Sequence, residues 1–321
     1  MEGVSSVNHN NIARPVLRAS PKSHGQYLKE TWQIYIMILP ALILVVVFCY
    51  WPIYGIQIAF KDFRLGQGIV GSSWIGFDHF IRFFRAPQFW TLLRNTLGIS
   101  IYSLAAGFPI PILLSLMLNE SRSRRFKQTV QMITYAPYFI STVAICGMLL
   151  LFLKKDSGVL NALVMLFGGE AKEFITLPKY FWSIYVWSGI WQNAGWGTII
   201  YLAALSSVSH EIVEAAVIDG ANRLQKIIHI DLPAIAPTIV ILLILNIGSL
   251  LNVGFEKTLL LQNSLNMDMA DVISTYTYRL GVLDRQYDYT TAIGLFNSLV
   301  NVGLLISING ISRKLGDTSL W

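Results

Sequence analysis

The chain has 321 residues, of which 54% are hydrophobic and 13% charged, with a formal net charge of +6. A soluble chain carries about 25% charged residues, so too few are present here to solvate a globular surface, and a soluble protein is excluded. The positive balance is ordinary for a membrane protein and makes no case for nucleic acid. Cys49 and Cys146 both sit in apolar runs, and His9, His24, His79, His210 and His229 are scattered, so neither a disulfide framework nor a metal site is indicated.

Six windows contain no Asp, Glu, Lys or Arg: residues 31–60, 95–119, 128–153, 180–210, 232–255 and 289–312. Together they make up half the chain. A membrane helix needs about 20 mostly apolar residues, and backbone groups in lipid must be satisfied within the segment. The windows are too long for barrel strands. An all-α integral membrane protein with six transmembrane helices is therefore predicted.

Residues 1–33 read as a polar, cytoplasmic N-terminal tail with Arg14, Arg18, Lys22 and Lys29, and 34–60 as the first span. That apolar run is longer than a signal-peptide core and lacks a small-residue cleavage site, so it is expected to stay as an anchor. Residues 61–94 form a basic, aromatic extracellular loop (Phe63, Trp74, Phe77, Phe80, Phe83, Phe84, Phe89, Trp90) suited to headgroup depth. Pro109 and Pro111 should kink span two. Arg122, Arg124, Arg125 and Lys127 crowd the short connection to span three and place it inside. Counted over all loops, the 24 Lys and Arg divide evenly between the two sides. The short-loop cluster is then what puts both termini in the cytoplasm.

Residues 157–169, SGVLNALVMLFGG, are too few to cross and read as a re-entrant or interfacial helix. Span four is rich in aromatics: Trp182, Tyr185, Trp187, Trp191, Trp196 and Tyr201. They read as belt and packing residues, or, deeper in, as stacking surfaces for a sugar.

The segment 206–233, SSVSHEIVEAAVIDGANRLQKIIHIDLP, is amphipathic without being apolar enough to cross. Ser206, Ser207 and Ser209 offer N-caps for a first helix. Asp219-Gly220 should end it, with glycine as the left-handed closing residue. A second helix should run from about Asn222 toward Leu232, and Pro233 should start the turn into span five. Apolar residues recur at helical spacing: Ile212 with Ala216, Val213 with Val217, and Leu224 with Ile227 and Ile228.

The pattern Glu214-Ala215-Ala216, then Asp219-Gly220-Ala221, then Ile230 and Leu232-Pro233 resembles the EAA loop of permease subunits of bacterial binding-protein-dependent ABC importers. At roughly 5–8% usage per residue type, nine such positions match by chance less than about once in a billion registers. In that family the loop is a coupling helix that docks into a cleft of a separate cytoplasmic ATPase. Ala215 and Ala216 suit close seating, Glu214 and Asp219 suit basic partner groups, and Gly220 permits the elbow. The family often has Pro where Ser209 stands. Residues 95–312 resemble the five-span type I importer core, with the first span as an addition and 313–321 as a second cytoplasmic tail. The stretches 39–63, 74–84 and 250–263 and the ending RKLGDTSLW resemble the sugar branch, and within it the LplB/YteP-like permeases associated with oligosaccharides from plant polysaccharide breakdown.

That resemblance implies a bacterial cell-membrane transport subunit that is not itself an enzyme. Its partners would be a second permease subunit, a cytoplasmic ATPase dimer that hydrolyses ATP with Mg, and an extracellular solute-binding protein. Consistent with this, the chain has no G-x-x-x-x-G-K-[ST] phosphate loop and no cofactor site of its own is expected. The span cores contain no charge, against an ion- or proton-coupled carrier, and no acid–base pair or nucleophile cluster for an intramembrane enzyme. Candidate path residues are Trp191, Gln192 and Asn193 in span four, Asn246 and Asn252 in span five, and Asn297 and Asn301, spaced i, i+4, in span six. Amides serve an uncharged sugar by donating to and accepting from its hydroxyls; they also join helices to one another. Glu256 and Lys257 read as a solvated pair at the outer end of span five, with an acidic sugar or the binding protein as other partners.

Overall fold

A computed structural model describes residues 24–315 and 319–320. The expected N-terminal tail up to residue 23, and residues 316–318 and 321 of the C-terminal one, lie outside the described residues. The described residues divide into two compact units, one ending at Gly55 and one beginning at Ile56. In the first, helix His24–Val45 passes into a π turn, Val46–Tyr50, where the Trp51 N–H reaches back to the Val46 carbonyl. Pro52 follows at once. Its missing N–H and bulky ring disturb the regular ladder, and a widened turn is one way to accommodate that break.

Among the described residues four helices are long and apolar enough to cross: Thr31–Phe60, Phe89–Asn119, Arg223–Gly248 and Tyr287–Lys314. Two further candidates are broken. Arg124–Phe139 and Thr142–Phe152 meet at 99°, and Pro178–Leu205 meets His210–Ile218 at 82°. Counting each broken pair as one gives the expected six. Span three thus departs from one straight helix over 128–153. Pro137 lies in a short 3-10 turn, Ala136–Phe139, and the Ser141 side chain caps the next helix by accepting from the Ala144 N–H at 3.3 Å. A proline and a fresh N-cap, four residues apart, divide an otherwise uniform apolar run. Span two bends more gently, ending one segment at Gly107 and restarting at Pro109, where a proline in the first helical turn removes no needed donor.

Residues 61–94 do more than lie along an interface. Lys61–Asp62 pairs antiparallel with Ser73–Trp74, and helix Asp78–Arg85 packs on the helix Tyr287–Leu315. Phe83 and Phe89 enter a core with Leu92, Ile273, Tyr289 and Ile293, while Trp74, Phe77 and Trp90 remain exposed. The short helix Val159–Leu166 stays outside the spans; buried Asn161 holds it by bonding the Lys154 and Lys172 carbonyls and the Lys172 N–H at 2.8–2.9 Å.

Span four, Pro178–Leu205, is the central helix, packing against both segments of span two and against spans three and five. Most of its rings serve that packing. Trp182 donates to the Met269 carbonyl at 2.9 Å, Trp187 to the Tyr102 hydroxyl at 2.9 Å, and Trp196 stacks on Tyr138 with centroids 4.4 Å apart.

Candidate functional site: the coupling loop and the cavity behind it

The loop between spans four and five carries its own local instructions. Ser209 caps the helix His210–Ile218, its hydroxyl accepting from the Glu211 N–H at 3.2 Å. A left-handed Gly220 (φ 81°) closes it. The Gly220 N–H bonds the Val217 carbonyl at 3.1 Å and the Ala221 N–H bonds the Ala216 carbonyl at 2.9 Å. That is the paired pattern of a Schellman ending, which satisfies carbonyls otherwise orphaned at a helix end. Asn222 then starts the second helix in a reciprocal capping box with Gln225, both bonds 2.8–2.9 Å.

From Arg223 the chain differs from expectation. The second helix does not stop before Pro233; it runs without a turn into span five, Arg223–Gly248. A π turn, Ile227–Asp231, precedes Pro233, with the Leu232 N–H reaching the Ile227 carbonyl. Here the widened turn lets the proline sit in the first turn of the following α segment. The loop's second arm and the span are therefore one continuous helix, a lever instead of two pieces joined at Pro233, and the first arm meets it at the Gly220 elbow.

The lever has an exposed side and an anchored side. Ile212, Val217, Ile218 and Leu224 are 56–84% exposed, and Glu214, Ala215, Asp219 and Gly220 lie on the same open helix and elbow. On the anchored side Ile227 packs on a core of Ile112 and Leu116 from span two, Tyr201 and Leu205 from span four, and Ile235 from span five. Lys226 joins this region electrostatically. Its Nζ contacts the Glu120 carboxylate at the end of span two and lies 3.9 Å from Asp231, which is 1% exposed. These three charges were not singled out from sequence; the spacing of Lys226 and Asp231 on one helix was the signal available, but Glu120 is brought to them only by folding.

Deeper in the second unit is a cavity of about 560 Å³ lined by spans two, four and five and the residues after span five. Of the predicted path residues, Gln192, Asn193, Asn246 and Asn252 line it. Asn193 donates to the Gly189 carbonyl at 2.8 Å, Asn246 to the Leu242 carbonyl at 2.7 Å and Gln192 to the Ile140 carbonyl at 3.2 Å. Each of these three side chains keeps a carbonyl oxygen without a protein partner among the described residues, and so retains an acceptor for a hydroxyl. Asn297 and Asn301 stand behind the lining, both donating to the Asn252 Oδ1 at 3.3 and 3.1 Å. Asn301 also accepts from the Leu251 N–H at 3.2 Å. Trp191 is half exposed and does not line the cavity. Tyr185, noted from sequence among the packing rings, does line it, and its hydroxyl accepts from the Gly254 N–H at 3.0 Å.

Comparison with known proteins places this arrangement. Residues 107–317, which include the whole loop and most of the cavity, match the family of binding-protein-dependent transport system inner membrane components. The chain belongs to this family. The permease is 44% identical over 288 residues to the polygalacturonan/rhamnogalacturonan transport system permease protein YteP of Bacillus subtilis, covering 90% of each chain. It is 42% identical to Protein LplB of the same organism, covering 92% of each. Among solved structures, it is similar to a chain of the bacterial alginate ABC transporter in complex with an alginate pentasaccharide-bound periplasmic protein. That likeness has a TM-score of 0.85 at 41% identity, over 93% of the permease and all of the other chain. The permease is thus a membrane-spanning transport subunit, and the family match begins within span two, leaving span one outside it.

Proposed function

We propose that the permease forms half of the translocation path of an ATP-driven importer of oligosaccharides, with residues 206–233 as its joint to a cytoplasmic ATPase. The observation that carries this reading is the lever: a helix with an uncovered apolar side, continuous through its second arm with a span, and anchored against spans two, four and five. A partner gripping Ile212, Val217 and Ile218 would move that whole packed region. Glu214 and Asp219 meet basic groups of the ATPase, Ala215 and Ala216 allow close seating, and Gly220 with Ala221 forms the elbow. Ile230, Leu232 and Pro233 carry the displacement into span five. Gln192, Asn193, Asn246 and Asn252 offer neutral hydrogen-bonding groups to sugar hydroxyls. The names of YteP and of the alginate transporter support an oligosaccharide from polysaccharide breakdown as cargo.

The remaining parts follow. A second permease subunit completes the path, an ATPase dimer hydrolyses ATP with Mg, and a solute-binding protein delivers cargo from outside. The loop and both termini face the cytoplasm. Deleting 214–220 should abolish ATP-driven uptake while the chain still reaches the membrane, and should remove the ATPase from a mild-detergent pull-down. Undiminished uptake by the deletion variant would defeat the coupling role. Uptake stopped directly by a protonophore at constant ATP would instead indicate a proton-coupled carrier.

A further inference from the structure

Lys257 does not behave as half of a solvated pair. In the helix Phe255–Leu261 it is 8% exposed and faces the cavity. Its Nζ donates to the Tyr185 carbonyl at 2.8 Å and lies 4.8 Å from the Tyr185 ring centroid. The absence of a side chain at Gly189 makes room for it, since a Cβ there would stand 3.2 Å from the Nζ. An ammonium has three donors, and the Tyr185 carbonyl takes one. Among the described residues no carboxylate pairs with it; the ion pairs lie elsewhere.

A buried cation without a counter-ion is costly, because water has been removed and no opposite charge replaces it. Burial accordingly pushes the Lys257 ammonium down from its ordinary value to about 8. An anion entering the cavity would offset that desolvation. The other polar groups of the lining, such as Ser100, Ser103, Asn193 and Asn246, are neutral. They can bond any sugar's hydroxyls, but none carries the full positive charge that would balance a carboxylate's. Lys257 is the charged residue in the lining.

We infer that Lys257 binds a carboxylate of the cargo during passage, so that the path favours acidic, uronate-bearing oligosaccharides over neutral ones. This rests on the importer reading above and names the chemistry of the same cavity. A purely structural role, fastening the helix to span four through Tyr185, would not depend on the charge of the ligand.

The test uses the assembled transporter in nanodiscs without binding protein, titrated with trigalacturonate and with its neutral methyl ester. Lys257→Met should weaken trigalacturonate by about tenfold or more and leave the ester within about twofold, as loss of one charge-assisted hydrogen bond requires. In the unaltered protein, carbodiimide coupling of trigalacturonate should leave its amide on the Lys257 peptide by mass spectrometry, a readout that needs no variant. Equal weakening of both ligands, no weakening of either, or coupling that spares Lys257 would overturn the inference. The importer reading is judged separately, by ATP-dependent uptake in proteoliposomes supplied with binding protein. If neither oligosaccharide nor any neutral one is taken up there, that reading fails and this inference with it; uptake indifferent to the carboxylate would sink this inference alone.

Discussion

The loop between spans four and five and the cavity are built in opposite ways. The loop's shape comes from neighbours in sequence: Ser209 caps nine residues of helix, Gly220 closes it, and Asn222 and Gln225 open the next. Its outer side is left uncovered. The cavity comes from distant segments, with Ser103, Asn193, Asn246 and Lys257 contributed by different elements, and its polar groups are individually unexceptional members of apolar helices. The loop accordingly has a linear signature. The cavity does not, because its geometry exists only after the spans pack.

Three substitutions sharpen this contrast. The largest expected effect is at the anchored side of the lever. Lys226→Met leaves Glu120 and the buried Asp231 facing one another without a cation, and breaking such a pair costs about 3–5 kcal/mol. Thermal unfolding of the purified permease in detergent should show it, and removing the acids as well (Glu120→Gln with Asp231→Asn) should recover part of the loss. Retained melting temperature in Lys226→Met would mean that apolar packing around Ile227 holds the lever unaided.

Gly220→Val comes next, since a left-handed φ of 81° in a residue with a Cβ costs about 1–2 kcal/mol. Folding should survive, but transport should uncouple: ATP hydrolysis by the complex continues while uptake falls. Asn, which tolerates this conformation better, should restore uptake in part at the same position. Uptake equal in all three proteins would show that the elbow is not needed for coupling.

The smallest effect belongs to the cavity. Asn193→Ala removes a side chain whose bond is to its own helix, so stability should hardly change. Half-maximal substrate for stimulated ATP hydrolysis should rise by about two- to tenfold, the worth of one ordinary hydrogen bond. A fall in stability with unchanged substrate dependence would make Asn193 a packing residue.

Much of the fold was legible because a bilayer imposes simple terms. Charge-free windows of sufficient length had to be helices, and their number holds once the two broken pairs are counted as single spans. The 99° break in span three was not legible as such: Pro137 and Ser141 were visible, but proline in a long apolar run also kinks gently, as the restart at Pro109 shows. Pro233 misled in the other direction. It suggested a turn, yet the π turn before it keeps the helix continuous, and no local pattern announces a widened turn. Of the path residues, the amides on spans four and five reach the cavity, whereas Asn297 and Asn301 share a helix face that supports Asn252 from behind. Helical spacing tells which residues share a face, not what that face meets.

Residence in a membrane, the rough positions of the crossings and an EAA-like loop closed at Gly220 could all be read from the chain before it folds. Those properties depend on hydrophobic length, charge exclusion and hydrogen bonds between residues a few positions apart. Folding was needed to reveal that the loop's second arm and span five form one continuous helix, that Lys226 is joined to Glu120, and that Lys257 is buried against Tyr185 with its ammonium facing the cavity. The reason is electrostatic: a charge costs little in water and much inside a packed helix bundle. Whether a lysine is incidental or consequential thus depends on what folding brings around it.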